Sequence, residues 1–112
     1  MTRSFLYSIM LVCYMAVIFY LSSLPPKVKV GGFDFPIHII EYIPLGILSL
    51  LWFKEKRFKN PFLFSFIFSL LYAISDEIHQ LFIPGRNASI KDVVADCIGI
   101  IVGLYLVVKW RR

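Results

Sequence analysis

Four long, mostly apolar stretches run along the chain, separated by clusters of charge and by prolines. The first extends from about Ser4 to Ser23 without a charge and is stopped by Leu24-Pro25-Pro26. The second, about Pro36 to Phe53, opens with proline at a plausible first helical position and ends at Lys54-Glu55-Lys56-Arg57. The third, about Pro61 to Phe82, also opens with proline and stops at Pro84-Gly85. The fourth, about Ile90 to Val108, follows Ser89, which with Asp92 resembles a capping box, and closes on Lys109-Trp110-Arg111-Arg112. Each is close to the roughly 20 residues that a helix needs to cross a hydrocarbon core of about 30 Å. The pattern predicts one all-α domain over residues 1–112, an integral membrane four-helix bundle, with short connections that make successive helices antiparallel neighbours. The first stretch reads as a retained helix rather than a signal peptide. Its uncharged run exceeds a signal h-region, and no A-x-A site follows it.

Composition agrees with lipid as the solvent. Of 112 residues, 59% are hydrophobic and only 17% charged, too few charges to cover a water-soluble domain of this size. Abundant aromatics exclude disorder, and two cysteines exclude a disulfide scaffold. The net charge of +5 would suggest nucleic acid in a soluble protein, but here it divides by side, and no nucleic-acid partner is expected. Four spans put Arg3, Lys54, Glu55, Lys56, Arg57, Lys59, Lys109, Arg111 and Arg112 together, a net +7. The other half holds Lys27, Lys29, Arg86 and Lys91 with Asp34, Glu41, Asp76, Glu77, Asp92 and Asp96, a net −2. The positive-inside rule then predicts cytoplasmic N- and C-termini in a multi-pass protein of the bacterial cell membrane.

Both histidines and six of the seven acids fall in the outer half. Ionisable groups on membrane helices cost about 2.5–3.5 kcal/mol at mid-bilayer, so they normally face the bundle and mark a site or a polar network. Here they recur at helical spacing. Offsets of three and four put His38, Glu41 and Tyr42 on one face; Asp76 faces His79 and Gln80, with Glu77 turned toward an adjacent face. Asp92 and Asp96 share a face that continues roughly through Gly99 and Gly103. The outer ends of the second, third and fourth helices therefore converge on one pocket, with Arg86 in the tight turn beside it.

Plainer roles exist for several of these residues. Asp92 suits a helix N-terminus by opposing the macrodipole, Pro84-Gly85 fits a type II turn, and Gly99-x-x-x-Gly103 is a close-packing motif. Phe62, Phe64, Phe66 and Phe68 read as lipid-facing or packing residues, Cys13 and Cys97 as small apolar ones, and Asn87-Ala88-Ser89 as a chance sequon. A salt-bridge network joining Arg86 to Asp76, Glu77 or Asp92 is the main structural alternative to a functional pocket.

The order Asp76-Glu77-Ile78-His79-Gln80, Phe82-Ile83-Pro84-Gly85-Arg86, Ser89, Asp92-Val93, Gly99 and Gly103, with His38-x-x-Glu41-Tyr42-x-x-Leu45-Gly46 upstream, resembles the VanZ-like family of small bacterial membrane proteins. The resemblance runs from about Asp34 to Gly103. It implies a four-helix membrane protein related to one associated with low-level resistance to the glycopeptide teicoplanin. The family's characteristic polar positions fall on His38, Glu41, Tyr42, Asp76, Glu77, His79, Gln80, Arg86, Ser89 and Asp92. Asp34-Phe35 stands where the family often has an Asp-Lys pair, and Asp96 where it often has asparagine.

For chemistry, the candidate catalytic residues are His38, Glu41, Asp76, Glu77 and His79, and the candidate substrate-binding residues are Tyr42, Gln80, Arg86, Ser89, Asp92 and Asp96. An enzyme would cleave or transfer a phosphoryl or acyl group of a lipid-linked cell-wall precursor. His79 or His38 would be its base or nucleophile, and Arg86 would neutralise phosphate. No cofactor is required; a divalent-metal version would use His38, His79 and Asp76 or Glu77. A binding module would instead hold a membrane lipid, a precursor headgroup or a glycopeptide without bond cleavage. An oligomeric transporter is the third class, though the first helix lacks the embedded glutamate of four-helix drug exporters.

Overall fold

A computed structural model describes residues 2–23, 34–84 and 90–110. It consists of four helices, α1 (Arg3–Ser23), α2 (Asp34–Glu55), α3 (Pro61–Gln80) and α4 (Ile90–Trp110), with no strand among the described residues. Each is long and apolar enough to cross a membrane.

The helix ends have local causes. Thr2 caps α1, its Oγ1 accepting from the backbone N–H of Phe5 at 3.1 Å. At the end of α2, Arg57 adopts a left-handed φ of 61°. Around it Arg57 N–H donates to the Lys54 carbonyl and Phe58 N–H to that of Phe53, at 3.0 and 3.2 Å. This is a Schellman motif, and its usual apolar contact is the edge-on packing of Phe53 and Phe58, ring centres 4.8 Å apart. Asn60 then caps α3, with Pro61 in its first turn. The sequence places the start of α2 at Pro36, but the helix begins at Asp34. It also extends α3 to Phe82, whereas the helix ends at Gln80. There the chain tightens into i→i−3 bonds, Phe82 to His79 and Ile83 to Gln80, ahead of Pro84. Pro44 lies inside α2, a position tolerated in membrane helices.

Successive helices are antiparallel neighbours, as expected, but the most intimate pairing is between α2 and α4, which run parallel. Glycine makes it so. A Cβ on Gly46 would lie 2.6 Å from the Ile100 carbonyl oxygen, and Cβ atoms on Gly99 and Gly103 would collide with the carbonyl oxygens of Ile39 and Ile43. The two backbones therefore touch along a seam. Small residues also line α3, where Ser65, Ser69 and Ala73 are buried and Ser69 Oγ meets Ser49 Oγ of α2 at 3.1 Å.

Helix α1 packs on α2 and α3 and does not reach α4. Leu11 and Ile18 join it to the core, and polar bonds cross the same interface. Tyr14 OH donates to the Glu41 carbonyl at 2.6 Å, Tyr72 OH to that of Met15, and Trp52 Nε1–H to Ser8 Oγ at 2.6 Å.

Burial runs opposite to that of a water-soluble domain. Val12, Ile40, Leu71, Ile101 and Tyr105 face outward, while Ser49, Ser69, His38, Asp76, Glu77, Gln80 and Asp96 are buried beside Leu45, Tyr42 and Ile100. Of the four phenylalanines read as lipid-facing or packing, Phe62 and Phe64 are exposed and Phe66 and Phe68 pack on the core.

Candidate functional site

Apart from the serines Ser49, Ser65 and Ser69, the buried polar side chains gather at one end of the bundle, where α2 and α4 begin and α1 and α3 finish. Their placement follows from the glycine seam. His38 immediately precedes Ile39, the residue that Gly99 touches, and Asp96 lies one turn before Gly99 on α4. The close backbones bring His38 Nδ1 to 2.9 Å from Asp96 Oδ1, with His38 Nε2 3.8 Å from Asp92 Oδ1. Asp96 is completely buried. Both aspartates lie in the first two turns of α4, where the helix dipole favours negative charge.

One turn further along α2, the fully buried Tyr42 donates its hydroxyl to Asp76 Oδ2 on α3 at 3.2 Å. Ser22 of α1 is a second hydrogen-bond partner of Asp76, and both His38 and His79 lie within electrostatic range of that carboxylate. Glu77 and Gln80 are buried alongside. His38, Glu77 and Asp96 each bring a ligand atom within 4.8 Å of the others. Two carboxylate oxygens, Asp76 Oδ1 and Asp96 Oδ2, are buried without a hydrogen-bond partner among the described residues. Such orphaned acceptors cost on the order of 1–3 kcal/mol each and need a compensating group.

The structure unites His38, Tyr42, Asp76, Glu77, Gln80 and Asp96 in this cluster, with Glu41, Asp92 and His79 half-buried around it. Arg86 and Ser89 lie outside the described residues. Glu77, next to Asp76 and turned toward the adjacent part of the helix surface, is buried as well, because the buried arc of α3 is wide enough to take in Asp76, Glu77 and Gln80. Two readings from spacing need correction. His79 sits at the flank, stacked on Phe19 of α1 with ring centres 4.3 Å apart and Nε2 2.8 Å from Ser23 Oγ. The three-ligand group accordingly contains Asp96, not His79. The site is also built by four helices rather than three, since α1 supplies Phe19, Ser22 and Ser23. The Ser22-Ser23 pair, polar at the end of an otherwise apolar span, was the available signal.

Two surface grooves are apolar. One, lined by Ile47, Leu51, Leu106, Val107 and Trp110, and another, lined by Leu11, Met15, Trp52 and Phe68, lie in the opposite half of the helices and are almost wholly apolar. Within the polar cluster, Glu41, His79 and Asp92 are the more accessible members.

Comparison with curated proteins and with solved structures gives no match. The VanZ/LLP1 family matches residues 37–111, a segment that takes in α2 from its fourth residue and all of α3 and α4, with the cluster they carry. The chain is a VanZ-like membrane protein and belongs to that family.

Proposed function

We propose that this protein lies in the bacterial cell membrane with both termini cytoplasmic, that the cluster around His38, Asp76 and Asp96 faces the extracytoplasmic side, and that it engages the headgroup of a cell-envelope lipid or lipid-linked cell-wall precursor. Lower susceptibility to glycopeptides such as teicoplanin is the expected consequence. One observation carries the reading: imidazole and carboxylate groups from three helices are buried against one another, His38 and Asp96 at 2.9 Å, in a bundle whose outer surface is apolar. Charges in such a setting are expensive and mark function more often than packing. The basic residues around Lys54 to Lys59, at the opposite end from the cluster, support the orientation. Arg86 and Ser89, in the connection between α3 and α4, supply an anion-binding cation and a hydroxyl.

A second reading, hydrolysis or transfer of a lipid-linked phosphoryl or acyl group, is favoured by the 2.8 Å contact of His79 Nε2 with Ser23 Oγ. That is the spacing at which an imidazole takes a proton from an attacking hydroxyl, a role that requires Ser23 to turn its proton from the Phe19 carbonyl, to which it donates at 2.8 Å, toward the ring. Incubating the purified protein with a lipid-linked precursor and following headgroup release by mass spectrometry separates the two. Turnover supports the enzyme, saturable binding without product supports the binding module, and neither result overturns both. In cells, His79→Ala and Asp76→Ala are expected to abolish the glycopeptide phenotype while membrane insertion persists.

A further inference from the structure

We propose that His38, Glu77 and Asp96 form a binding site for a divalent cation of the zinc type. The site deepens the function proposed above, resting on the same cluster, and names the ion that would act there.

The donor set is one imidazole nitrogen and two carboxylate oxygens, contributed by three different helices and all buried. Mixed nitrogen and oxygen ligands of this kind suit zinc and neighbouring first-row ions, whereas magnesium and calcium prefer oxygen-only sets. The three ligand atoms already lie within 4.8 Å of one another. Ligands of a tetrahedral zinc stand about 3.3 Å apart, so closing onto the ion needs side-chain movements on the order of an ångström. The seam between α2 and α4 fixes the backbones that carry His38 and Asp96, leaving only those side-chain adjustments to be made.

A second observation points to a cation independently of the clustering. Asp96 is fully buried, and its Oδ2 has no hydrogen-bond partner among the described residues while Oδ1 is engaged by His38. The nearby Asp76 Oδ1 is in the same condition. A cation would satisfy an acceptor that no described donor reaches. Asp92 lies beside the His38 ring, its Oδ1 3.8 Å from Nε2, where a carboxylate orients a ligating imidazole. Three protein ligands leave a fourth position open, the pattern of catalytic rather than structural zinc, and a phosphate or acyl oxygen of the headgroup is the ligand that position would accept.

The test uses tag-free, full-length protein in detergent micelles, stripped with chelator and then equilibrated with zinc, with no lipid substrate present. Loss of the lipid-headgroup function therefore cannot be confused with loss of ion binding. The expected result is about one zinc per chain by elemental analysis, with a chelator-reversible rise in Tm. Binding is expected to weaken about tenfold or more in Asp96→Asn and Glu77→Gln and to persist in Glu55→Gln, at the far end of α2. Circular dichroism verifies that the variants are helical. Wild-type protein that takes up no zinc overturns the proposal whatever the variants do. Uptake that Asp96→Asn and Glu77→Gln leave unchanged overturns it too, and displacement by equimolar magnesium overturns the zinc-type assignment.

Discussion

His38 on α2 and Asp96 on α4 are joined at 2.9 Å directly beside the point where Gly99 brings α4 against the backbone of Ile39. The pair and the seam are one construction. In lipid there is little water to replace the lost partner of either group, yet interhelical polar bonds in membranes average only about 0.6 kcal/mol and reach about 1.7. This one is buried and charge-capable, so a double-mutant cycle of His38→Ala and Asp96→Ala should give a coupling of about 1–2 kcal/mol in detergent unfolding. The same cycle on Arg3 and Glu55, 3.8 Å apart with the arginine two-thirds exposed, should give close to zero. Equal coupling in both pairs would show that the cluster contributes no more than a surface ion pair.

Gly99→Ala should destabilise the bundle by about 1–3 kcal/mol, since the added methyl meets a backbone carbonyl that cannot rotate aside. Gly103→Ala, against the Ile43 carbonyl, should behave alike. Thermal unfolding in detergent measures both, and an unchanged Tm would mean that α2 and α4 are not held in backbone contact.

Arg57→Gly should raise stability by about 0.5–1 kcal/mol. A left-handed residue with a side chain costs about 1–2 kcal/mol, and part of that gain is returned through the greater entropy of glycine in the unfolded chain. A fall in Tm would reveal that the arginine side chain contributes more than its backbone strain costs.

Orientation is open to chemical labelling. With Cys13 and Cys97 replaced by alanine, Arg86→Cys should react with a membrane-impermeant maleimide in intact cells, and Arg57→Cys only after permeabilisation. The reverse pattern would put the cluster on the cytoplasmic side.

Much of this architecture was legible in the chain. The helices were, because charge clusters and prolines bracket stretches of the right length, and so were the polar residues that the bundle buries. Their pairing was not. His38 and Asp96 are 58 positions apart, and which faces meet depends on backbone approach between α2 and α4. Gly99 and Gly103 signalled that approach, but its complement, Gly46, carries no motif of its own. Spacing alone also misplaced His79, because an i,i+3 rule sets it beside Asp76, whereas it packs on Phe19 and meets Ser23 of α1. A helix contributing two serines at its end gives little hint that it walls a site.

The seam acts as a ruler. Sliding α4 along α2 by a single residue, about 1.5 Å, would push Cα hydrogens and side chains into carbonyls that only glycine clears. The register between the two helices is thus discrete, and the distance between His38 and Asp96 is inherited from it. Motion that opens the cluster must come from α1 or α3, hinging away from an α2–α4 unit that moves as one piece.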